Sequence, residues 1–440
     1  MHLAIRFHHI VSLLLIMTLL VSCATNPVTG RQGLSLVKVS TEQEVELGRK
    51  TFPVAIQQSG GRYPDEALQD YVNAIGKRLA QGCERPDLPF QFAVVNDSTP
   101  NAFALPGGQI AITRGLLVNL TNEEQLAAVL GHEIGHVTAR HAVQGINRGV
   151  LLDLGMTVLA SAGADGDYAA LSLQAGQLTA TLLDRTYSRT QEADADRLGI
   201  NYMVIAGYDP QGAVELQEFF SREVEGWRSG NQLEKLFRTH PFSSDRLKQN
   251  RAYLASLPSA TITDKAHRTT NFRRATTRLR DTREAYARHD KAVALERQGH
   301  PRDAIVLYLK AATTAPNEAL LRHSLGMAQL RAGDRIAAKR QLRQAVLLDE
   351  NDYQSRLGLG YLYQLEANYR RALLHLRAAQ KLLPTTRGAY LLAETFEKTG
   401  QPAAALGYYR QVAAQEPQTT LGQAAAARIA QLTESHGAAQ

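Results

Sequence analysis

The stretch His132-Glu133-Ile134-Gly135-His136 decides how this chain is interpreted. Two histidines four residues apart project from one face of a helix with a carboxylate between them, and a catalytic zinc site begins in this way. Residues 121–143 are predicted to form that helix, and Asn122 can cap its start. The apolar positions that recur at helical spacing are Leu126, Val129, Leu130, Ile134 and Val137.

Two histidines leave a tetrahedral zinc ion short of a protein ligand. The pattern HExxHxxGxxH would supply a third histidine, but Ala139 and Ala142 occupy the later positions and exclude it. His141 stands five residues past His136, on a different part of the helix, and we interpret it as a solvated or structural histidine. The other option is a glutamate on a second helix, and Glu192 within residues 187–196 offers one.

The first residues are predicted to be an export signal. Arg6 precedes an apolar run over residues 10–21, which is too short to span a bilayer. The run ends at Leu20-Val21-Ser22-Cys23, which resembles the lipobox of bacterial lipoproteins. Cys23 would then carry a lipid, and Ala24 after it favours the periplasmic face of the outer membrane of a Gram-negative bacterium. The alternative is an ordinary cleaved signal with an incidental cysteine.

At 440 residues the chain is expected to hold two or three domains. We predict a signal peptide over residues 1–22, a tether over 23–40, an α+β domain over 41–260 and a linker over 261–282. The α+β domain is mostly helical, with a small sheet that contains strands at residues 90–95 and 109–113. Cys83 would be the other cysteine, so the mature chain can form no intramolecular disulfide, and we expect this thiol to be buried and inert.

Residues 283–420 contain an internal repeat of 34 residues. Ala304, Ala338 and Ala372 are 34 apart and Ala405 follows after 33, and Gly299 and Gly333 keep the same period. This period, with small residues where two helices cross, is the tetratricopeptide signature, and about four units are expected to stack as an all-α solenoid. Residues 421–440 are predicted to be a C-terminal helix or tail.

The charge is unevenly distributed along the chain. From Lys265 onward there are 27 Lys and Arg against 15 Asp and Glu, whereas the preceding part has 22 against 27. The cations are scattered along helical faces and are not clustered with aromatic residues, so nucleic acid is not expected as a partner. Anionic lipid headgroups or an acidic client surface fit better, and a solvated face is the alternative.

The two motifs together resemble a family. HExxH followed by Ser188-Arg189-Thr190-Gln191-Glu192 and Ala195-Asp196 is similar to zinc metallopeptidases that include HtpX and the CAAX-prenyl proteases. The periplasmic, BepA-like members with C-terminal tetratricopeptide repeats are the most similar, and the resemblance extends over essentially the whole chain. The matching segments outside the zinc motifs are Asn26-Pro27-Val28-Thr29-Gly30, Asn101-Ala102-Phe103-Ala104, Pro106-Gly107-Gly108 and His240-Pro241.

The resemblance implies a site for one Zn²⁺ per chain. His132, His136 and Glu192 would be its ligands, and Glu133 would be the general base that activates the attacking water. Asp196, one turn beyond Glu192, would accept a hydrogen bond from a ligand imidazole. Asp194 departs from the family, in which glutamate is common at that position, and its carboxylate is expected to point off the ligand face.

The oxyanion that forms during peptide hydrolysis needs a further donor. His240 and Arg246 are the candidates. In related enzymes the His-Pro segment lies beside the zinc, so His240 would serve the oxyanion or occupy a fourth metal position and keep the enzyme latent. Alternatively, His240 caps the helix near Ser243-Ser244.

Substrate is predicted to bind by main-chain pairing. The strand over residues 109–113 precedes the zinc helix and would present an edge to an extended polypeptide. The predicted edge residues are Gln109, Ile110, Ala111 and Ile112. The alternative is that this strand is internal to the sheet.

The sequence thus predicts a periplasmic zinc metalloendopeptidase in quality control of misfolded or unassembled outer-membrane or exported proteins. Its repeats would select unfolded clients or dock on the outer-membrane assembly machinery. The alternative is a chaperone or assembly factor with a latent protease. A scaffold that uses only the repeats would leave the zinc motifs without a role.

Overall fold

The computed structural model describes residues 22–35, 39–146, 178–225, 234–258 and 265–437. Within them a mostly helical N-terminal domain with a small sheet precedes a row of helix pairs, which confirms the predicted fold class. Most of the predicted signal lies outside the described residues. So do the apolar residues 150–164, which are predicted to form a packed or interfacial helix, and the break in the helical pattern predicted at residues 163–167. No helix of the described part is long and apolar enough to cross a bilayer.

The N-terminal domain contains five strands and a set of packed helices. The strands are β1 (Ser22–Thr25), β2 (Gln32–Ser35), β3 (Gln91–Val95), β4 (Ala102–Leu105) and β5 (Gln109–Thr113). The helices are α1 (Thr41–Gln58), α2 (Glu66–Ala80), α3 (Arg114–Leu117), α4 (Glu123–Thr138), α5 (His141–Ile146), α6 (Arg189–Ile205), α7 (Gln211–Glu225), α8 (Glu234–Thr239) and α9 (Ser244–Ser256).

The three-stranded sheet has the order β3-β5-β4, with β3 parallel and β4 antiparallel to β5. The strand predicted to offer a free edge, Gln109–Thr113, is therefore the central strand, and the edge prediction is wrong. The cause is a tight turn at Pro106–Gly108, which folds β4 back onto β5. Gly107 adopts φ 76° there, and a Cβ would lie 2.6 Å from the Cα of Val45, so the turn requires glycine.

The two outer strands differ in how far their free edges are covered. The isolated bridge Arg62↔Val95 and the Gln69 side chain, which bonds both backbone groups of Val94, cover the outer edge of β3. Among the described residues, β4 pairs by its backbone with β5 only. Within that part of the chain, β4 is therefore the outer strand whose second edge has no paired strand, although all four of its residues are buried.

The segment predicted to be a linker is helical instead. Helices α10 (Lys265–Ala275) and α11 (Thr277–Asp281) bury Phe272 and Leu279, and Arg268 on α10 donates to Glu124 on α4 at 3.1 Å. Its Thr- and Arg-rich composition suggested an unstructured connection. Two apolar anchors and a buried ion pair attach it to the N-terminal domain.

The C-terminal part is a series of antiparallel helix pairs. The pairs are α12 (Arg283–Arg297) with α13 (Pro301–Thr314), α14 (Ala319–Arg331) with α15 (Arg335–Leu348), α16 (Tyr353–Leu365) with α17 (Tyr369–Leu382), and α18 (Thr386–Lys398) with α19 (Pro402–Gln415). Helix α20 (Thr420–Gly437) follows. The repeated alanines Ala304, Ala338, Ala372 and Ala405 are all fully buried, because small side chains let the two helices of a pair approach closely.

The repeats pack against the N-terminal domain at two places. At the first, the guanidinium of Arg114 lies over the ring of Tyr286 at 3.6 Å from its centroid. At the second, the Gln57 side chain on α1 bonds the backbone of Asn351 and Tyr353, and Val54 packs in a small apolar cluster with Tyr353. The third repeat thus lies against α1, the first helix of the N-terminal domain.

Candidate metal centre

Helix α4 carries the first two donors. Asn122 accepts from the backbone N–H of Gln125 at 2.8 Å and caps its start, as predicted. The helix is shorter than the predicted residues 121–143, because Arg140 adopts a φ of +55° and the chain restarts as α5 at His141. This break turns the His141 side chain back toward His136.

Helix α6 supplies the third donor. A capping box between Ser188 and Gln191 sets its start, and Glu192 lies in its first turn with no exposed surface. The two helices approach closely. A Cβ on Gly135 would lie 2.9 Å from the backbone oxygen of Ala195, and a Cβ on Gly199 would lie 2.8 Å from the backbone nitrogen of His132. Small residues at this crossing bring Glu192 within reach of both histidines.

The structure brings together His132, His136, Glu192 and His240, with one potential ligand atom from each lying within 4.8 Å of the others. The Nε2 atoms of His132 and His136 are 3.0 Å apart. Glu192 Oε1 lies 3.3 Å from Nε2 of His136, and Glu192 Oε2 lies 3.6 Å from Nε2 of His132. Nδ1 of His240 lies 3.1 Å from Glu192 Oε1.

This donor set fits a zinc ion. Nδ1 of His132 donates to Asp196 at 2.9 Å, so its Nε2 presents a lone pair to the cluster. Nδ1 of His136 lies 2.9 Å from Nδ1 of His141. When His136 donates its Nδ1 proton to Nδ1 of His141, the Nε2 lone pair of His136 stays free for the metal. A carboxylate and two imidazole lone pairs at these distances repel one another unless a cation lies between them. Two nitrogens and a carboxylate oxygen are ligands that zinc prefers.

Glu133 is buried beside the donors with one oxygen available. Among the described residues its Oε2 atom has no hydrogen-bond partner, and Oε1 lies 3.7 Å from Nε2 of His240. Burial raises the pKa of the Glu133 carboxyl, and the nearby His240 and His132 offset this only in part. A carboxylate with a raised pKa and a free oxygen suits proton transfer near neutral pH.

Arg246 binds carboxylates and does not face an open oxyanion position. Its Nη1 donates to Glu192 Oε2 and to the Pro241 carbonyl, while Nε and Nη2 donate to Asp196. Four of its five N–H groups are thus engaged. We therefore replace the predicted oxyanion role of Arg246 with an orienting role. Burial alone would raise the pKa of Glu192, but Arg246, His240 and His132 outweigh it and hold that pKa well below its usual range.

His240 lies in the cluster and does not cap α9. The Ser243 side chain caps that helix by accepting from the Arg246 backbone N–H. Burial alone would lower the pKa of His240, yet the carboxylates of Glu192 and Glu133 raise it overall. The capping alternative is therefore wrong. The two remaining roles, oxyanion donor and fourth ligand, both agree with its position.

Two residues behind the donors were not predicted to have a role here. His141 is 1% exposed, and burial lowers its pKa to about 3. The Tyr187 ring stacks on the His136 ring with centroids 3.7 Å apart. The helix break at Arg140 brings His141 to His136, and α-helical spacing alone gives no sign of it. His141 is structural, as one of the predicted interpretations held, and it contacts a ligand directly.

The Asn26–Arg31 segment packs against the motif helices from the outside. Asn26 donates to the carbonyl of Ala139, at the end of α4, at 2.6 Å. Arg31 forms a two-point ion pair with Asp194 on α6, at 2.7 and 3.1 Å. Asp194 therefore points off the ligand face, as expected. The N-terminal segment joins the two helices that carry the donors.

A cavity opens beside His132 and Glu133. It contains about 690 Å³ of empty space, part of which is open to solvent, and most of its lining is apolar. The larger apolar side chains around it include Val129, Leu216, Phe220, Phe237 and Phe242. An apolar side chain of a bound polypeptide would fit next to the donor cluster.

Comparisons with known proteins give a match over the segment that contains this cluster. The sequence profile described as "Peptidase family M48" matches residues 66–253. The "Beta-barrel assembly-enhancing protease" of Escherichia coli (strain K12) is 32% identical over 224 residues, which cover 48% of this chain and 44% of that protein. The "Mitochondrial metalloendopeptidase OMA1" of Schizosaccharomyces pombe is 32% identical over 238 residues, 52% of this chain and 65% of that one.

The alignments therefore span less than half of the bacterial relative's own length. Among solved structures, "Crystal structure of MamA protein" covers 34% of this chain and 83% of that one, at 17% identity and a TM-score of 0.28.

Proposed function

We propose that the chain is a zinc-dependent endopeptidase that cleaves unfolded or unassembled polypeptides, and the match of residues 66–253 to the profile described as "Peptidase family M48" supports this proposal. The observation that carries the proposal is the position of Glu133. Its unpartnered Oε2 is buried directly beside the nitrogen and oxygen donors of His132, His136 and Glu192. A structural metal site would not need a free carboxylate oxygen there.

His132, His136 and Glu192 would hold the zinc ion. When bound, zinc polarises the scissile carbonyl and makes water acidic enough to lose a proton near neutral pH. Glu133 takes that proton on Oε2 and returns it to the leaving amine as the peptide bond breaks. Because Glu133 is almost fully buried, little solvent competes for the proton it carries.

The surrounding side chains keep the donors in one orientation. Asp196 holds Nδ1 of His132, and it is itself held by Arg246 and by Gln217 at 3.0 Å. His141 holds Nδ1 of His136 by a hydrogen bond in the same way. Such outer hydrogen bonds set the tautomer and ring orientation of a metal ligand and raise its affinity for the metal.

Substrate would bind along β4. An extended chain added to its unpaired edge would run past Ala102, which also lines the cavity beside His132, and the side chains that bury β4 would have to move aside. Backbone pairing would make cleavage depend on unfolded structure, and the apolar cavity would favour a large apolar side chain near the scissile bond. The cavity-filling variant Ala213→Phe should narrow that preference toward small side chains.

A second candidate function is supported by His240. It lies 3.1 Å from Glu192 and 3.7 Å from Glu133, so as a fourth metal ligand it would occupy the position that a substrate carbonyl needs. This arrangement supports a latent protease whose repeats act as a chaperone or assembly factor for outer-membrane proteins. Such a role would survive Glu133→Gln, whereas a proteolytic role would not.

The cellular location is part of the proposal. The lipobox-like sequence that ends at Cys23 supports export and lipid attachment at the periplasmic face of the outer membrane. Outer-membrane or exported proteins would then be the clients. The similarity to a beta-barrel assembly-enhancing protease supports docking of the repeats on outer-membrane assembly machinery.

The test is zinc content and casein hydrolysis of the chain without its signal. We expect one zinc per chain in the wild type and in Glu133→Gln, with hydrolysis by Glu133→Gln reduced on the order of 100- to 10,000-fold. Glu66→Gln, an exposed position on α2, is the matched control and should behave as wild type. Equal hydrolysis by wild type and Glu133→Gln would refute the proposal.

His240→Ala separates the two candidates. Faster hydrolysis with unchanged zinc content identifies His240 as a latch, whereas slower hydrolysis identifies it as a donor to the oxyanion. If neither the wild type nor His240→Ala cleaves casein while both bind zinc, the chaperone role is the better description.

A further inference from the structure

The second helices of the first three repeats share one outward face with an unusual composition. On α13, α15 and α17, positions that recur every 34 residues are exposed, and of their side chains Arg377 also contacts the core through its guanidinium, which lies over the Phe396 ring at 5.0 Å from its centroid. We name these twelve residues the basic–apolar face. They are Arg302, Val306, Leu309 and Thr313; Ile336, Arg340, Arg343 and Leu347; and Arg370, Leu374, Arg377 and Lys381.

Large apolar side chains are exposed on this face. Ile336 is 86% exposed, Leu347 is 75% exposed and Leu374 is 63% exposed. Val306 and Leu309 are exposed by about half. A face that only had to be solvated would carry polar residues at these positions, because exposed large aliphatic side chains in register favour association.

The remaining positions are almost all cationic. Six of the twelve residues are Arg or Lys and none is acidic. Within the described part of the chain, none of these six cations forms an ion pair. The whole of α15 and α17 contains no acidic residue, and α13 contains only Asp303.

We propose that the basic–apolar face binds an anionic lipid membrane. The apolar residues would enter the boundary between headgroups and acyl chains, and the arginines beside them would reach lipid phosphates while their aliphatic stems stay in the apolar layer. This contact is separate from the predicted lipid on Cys23, and it does not depend on the peptidase activity.

The pattern fits a membrane better than a protein partner. The core of a protein–protein interface is depleted in charge and enriched in aromatic residues. Here no residue of the face is aromatic, and each repeat mixes cations with its apolar side chains. A lipid surface accepts this mixture, since phosphates and acyl chains are both within reach of every side chain.

The test is co-sedimentation with vesicles. The protein is the chain of residues 23–440 with Cys23→Ser, so that no lipid is attached. We expect it to bind vesicles of phosphatidylcholine with phosphatidylglycerol, and to bind vesicles of phosphatidylcholine alone at least about 10-fold more weakly. Equal partitioning into the two kinds of vesicle, or none into either, would overturn the proposal.

Two triple variants locate the contact. Arg340→Glu, Arg343→Glu and Arg377→Glu together should weaken anionic-vesicle binding by about 100-fold or more, since each cation near such a surface contributes about fivefold. The matched control reverses Arg283, Arg297 and Arg387, which are exposed on the first helices of the repeats. It changes the net charge equally and should retain most of the binding. An equal loss in both would show a general charge effect and overturn the proposal.

The apolar residues are tested by Ile336→Ser, Leu347→Ser and Leu374→Ser. This variant should lose the part of the binding that survives high salt, while Ile205→Ser, an exposed residue of the peptidase domain, should not. If the apolar variant binds as wild type and a duplex DNA binds as tightly as the vesicles, the face is a general polyanion site and the membrane proposal is wrong. Circular dichroism of each variant confirms that the helices are intact.

Discussion

Arg246 and Asp196 form a two-point ion pair, with Nε 2.8 Å from Oδ2 and Nη2 2.7 Å from Oδ1. Both side chains are almost completely buried, and the same guanidinium also reaches Glu192. One arginine thus holds the carboxylate that orients His132 and the carboxylate that donates to the metal. The planar fork of arginine suits this geometry, and a lysine could not reproduce it.

Arg246→Gln should therefore destabilise the protein and weaken zinc binding. Removing one partner of a buried ion pair leaves an uncompensated charge, which costs about 3–5 kcal/mol in the free energy of unfolding. The measurements are urea denaturation and zinc affinity. Arg251→Gln is the control, because Arg251 lies on the same helix, α9, but pairs with Glu218 at the protein surface. Its loss should lower the free energy of unfolding by at most about 1 kcal/mol. Equal effects of both variants would contradict the buried role.

His141→Ala should lower zinc affinity by about 10- to 100-fold while leaving the helices intact, because Nδ1 of His136 loses its partner. Competition with a chelator measures the affinity independently of hydrolysis. His300→Ala, at an exposed histidine of the repeats, is the control. Unchanged affinity in His141→Ala would show that Tyr187 alone positions His136.

Cys83 should react very slowly in the folded protein. Burial raises the pKa of its thiol to about 11, so at pH 8 the thiolate fraction is lower by roughly 240-fold than for a free cysteine with a pKa of about 8.5. A raised pKa keeps the proton on the sulfur, so the thiol stays unreactive until the pH approaches 11. Alkylation of the Cys23→Ser chain measures this rate. Labelling should become fast in guanidinium, and fast labelling without denaturant would contradict the buried thiol.

Ala367→Gly should stabilise the third repeat. Ala367 adopts a φ of +56°, at a helix end where Gly299, Gly333 and Gly400 have positive φ in the other repeats. The left-handed conformation costs a residue with a Cβ roughly 1–2 kcal/mol, and part of this is recovered with glycine. Thermal unfolding measures the gain. Gly333→Ala should shift the midpoint in the opposite direction, and a fall in stability for Ala367→Gly would contradict this account.

Local patterns in the sequence predicted a large part of this structure. The spacing of His132 and His136, the Asn122 cap and the alanines at 34-residue intervals all express contacts within one helix or one helix pair. Such contacts depend on helix geometry, which is the same in every protein. The fold class could therefore be predicted from the sequence, whereas the grouping of Glu192 with the two histidines followed only from the resemblance to the zinc metallopeptidases.

Tertiary structure decided the rest, because it depends on contacts between distant segments. Strand alternation marks Gln109–Thr113 as a strand but does not encode its neighbours, so its central position follows only from the pairing of β3 and β4 on either side. The engagement of Arg246 with Glu192 and Asp196 depends on the packing of α9 against α6. A positive φ at Arg140, which helical periodicity does not show, turns His141 toward His136.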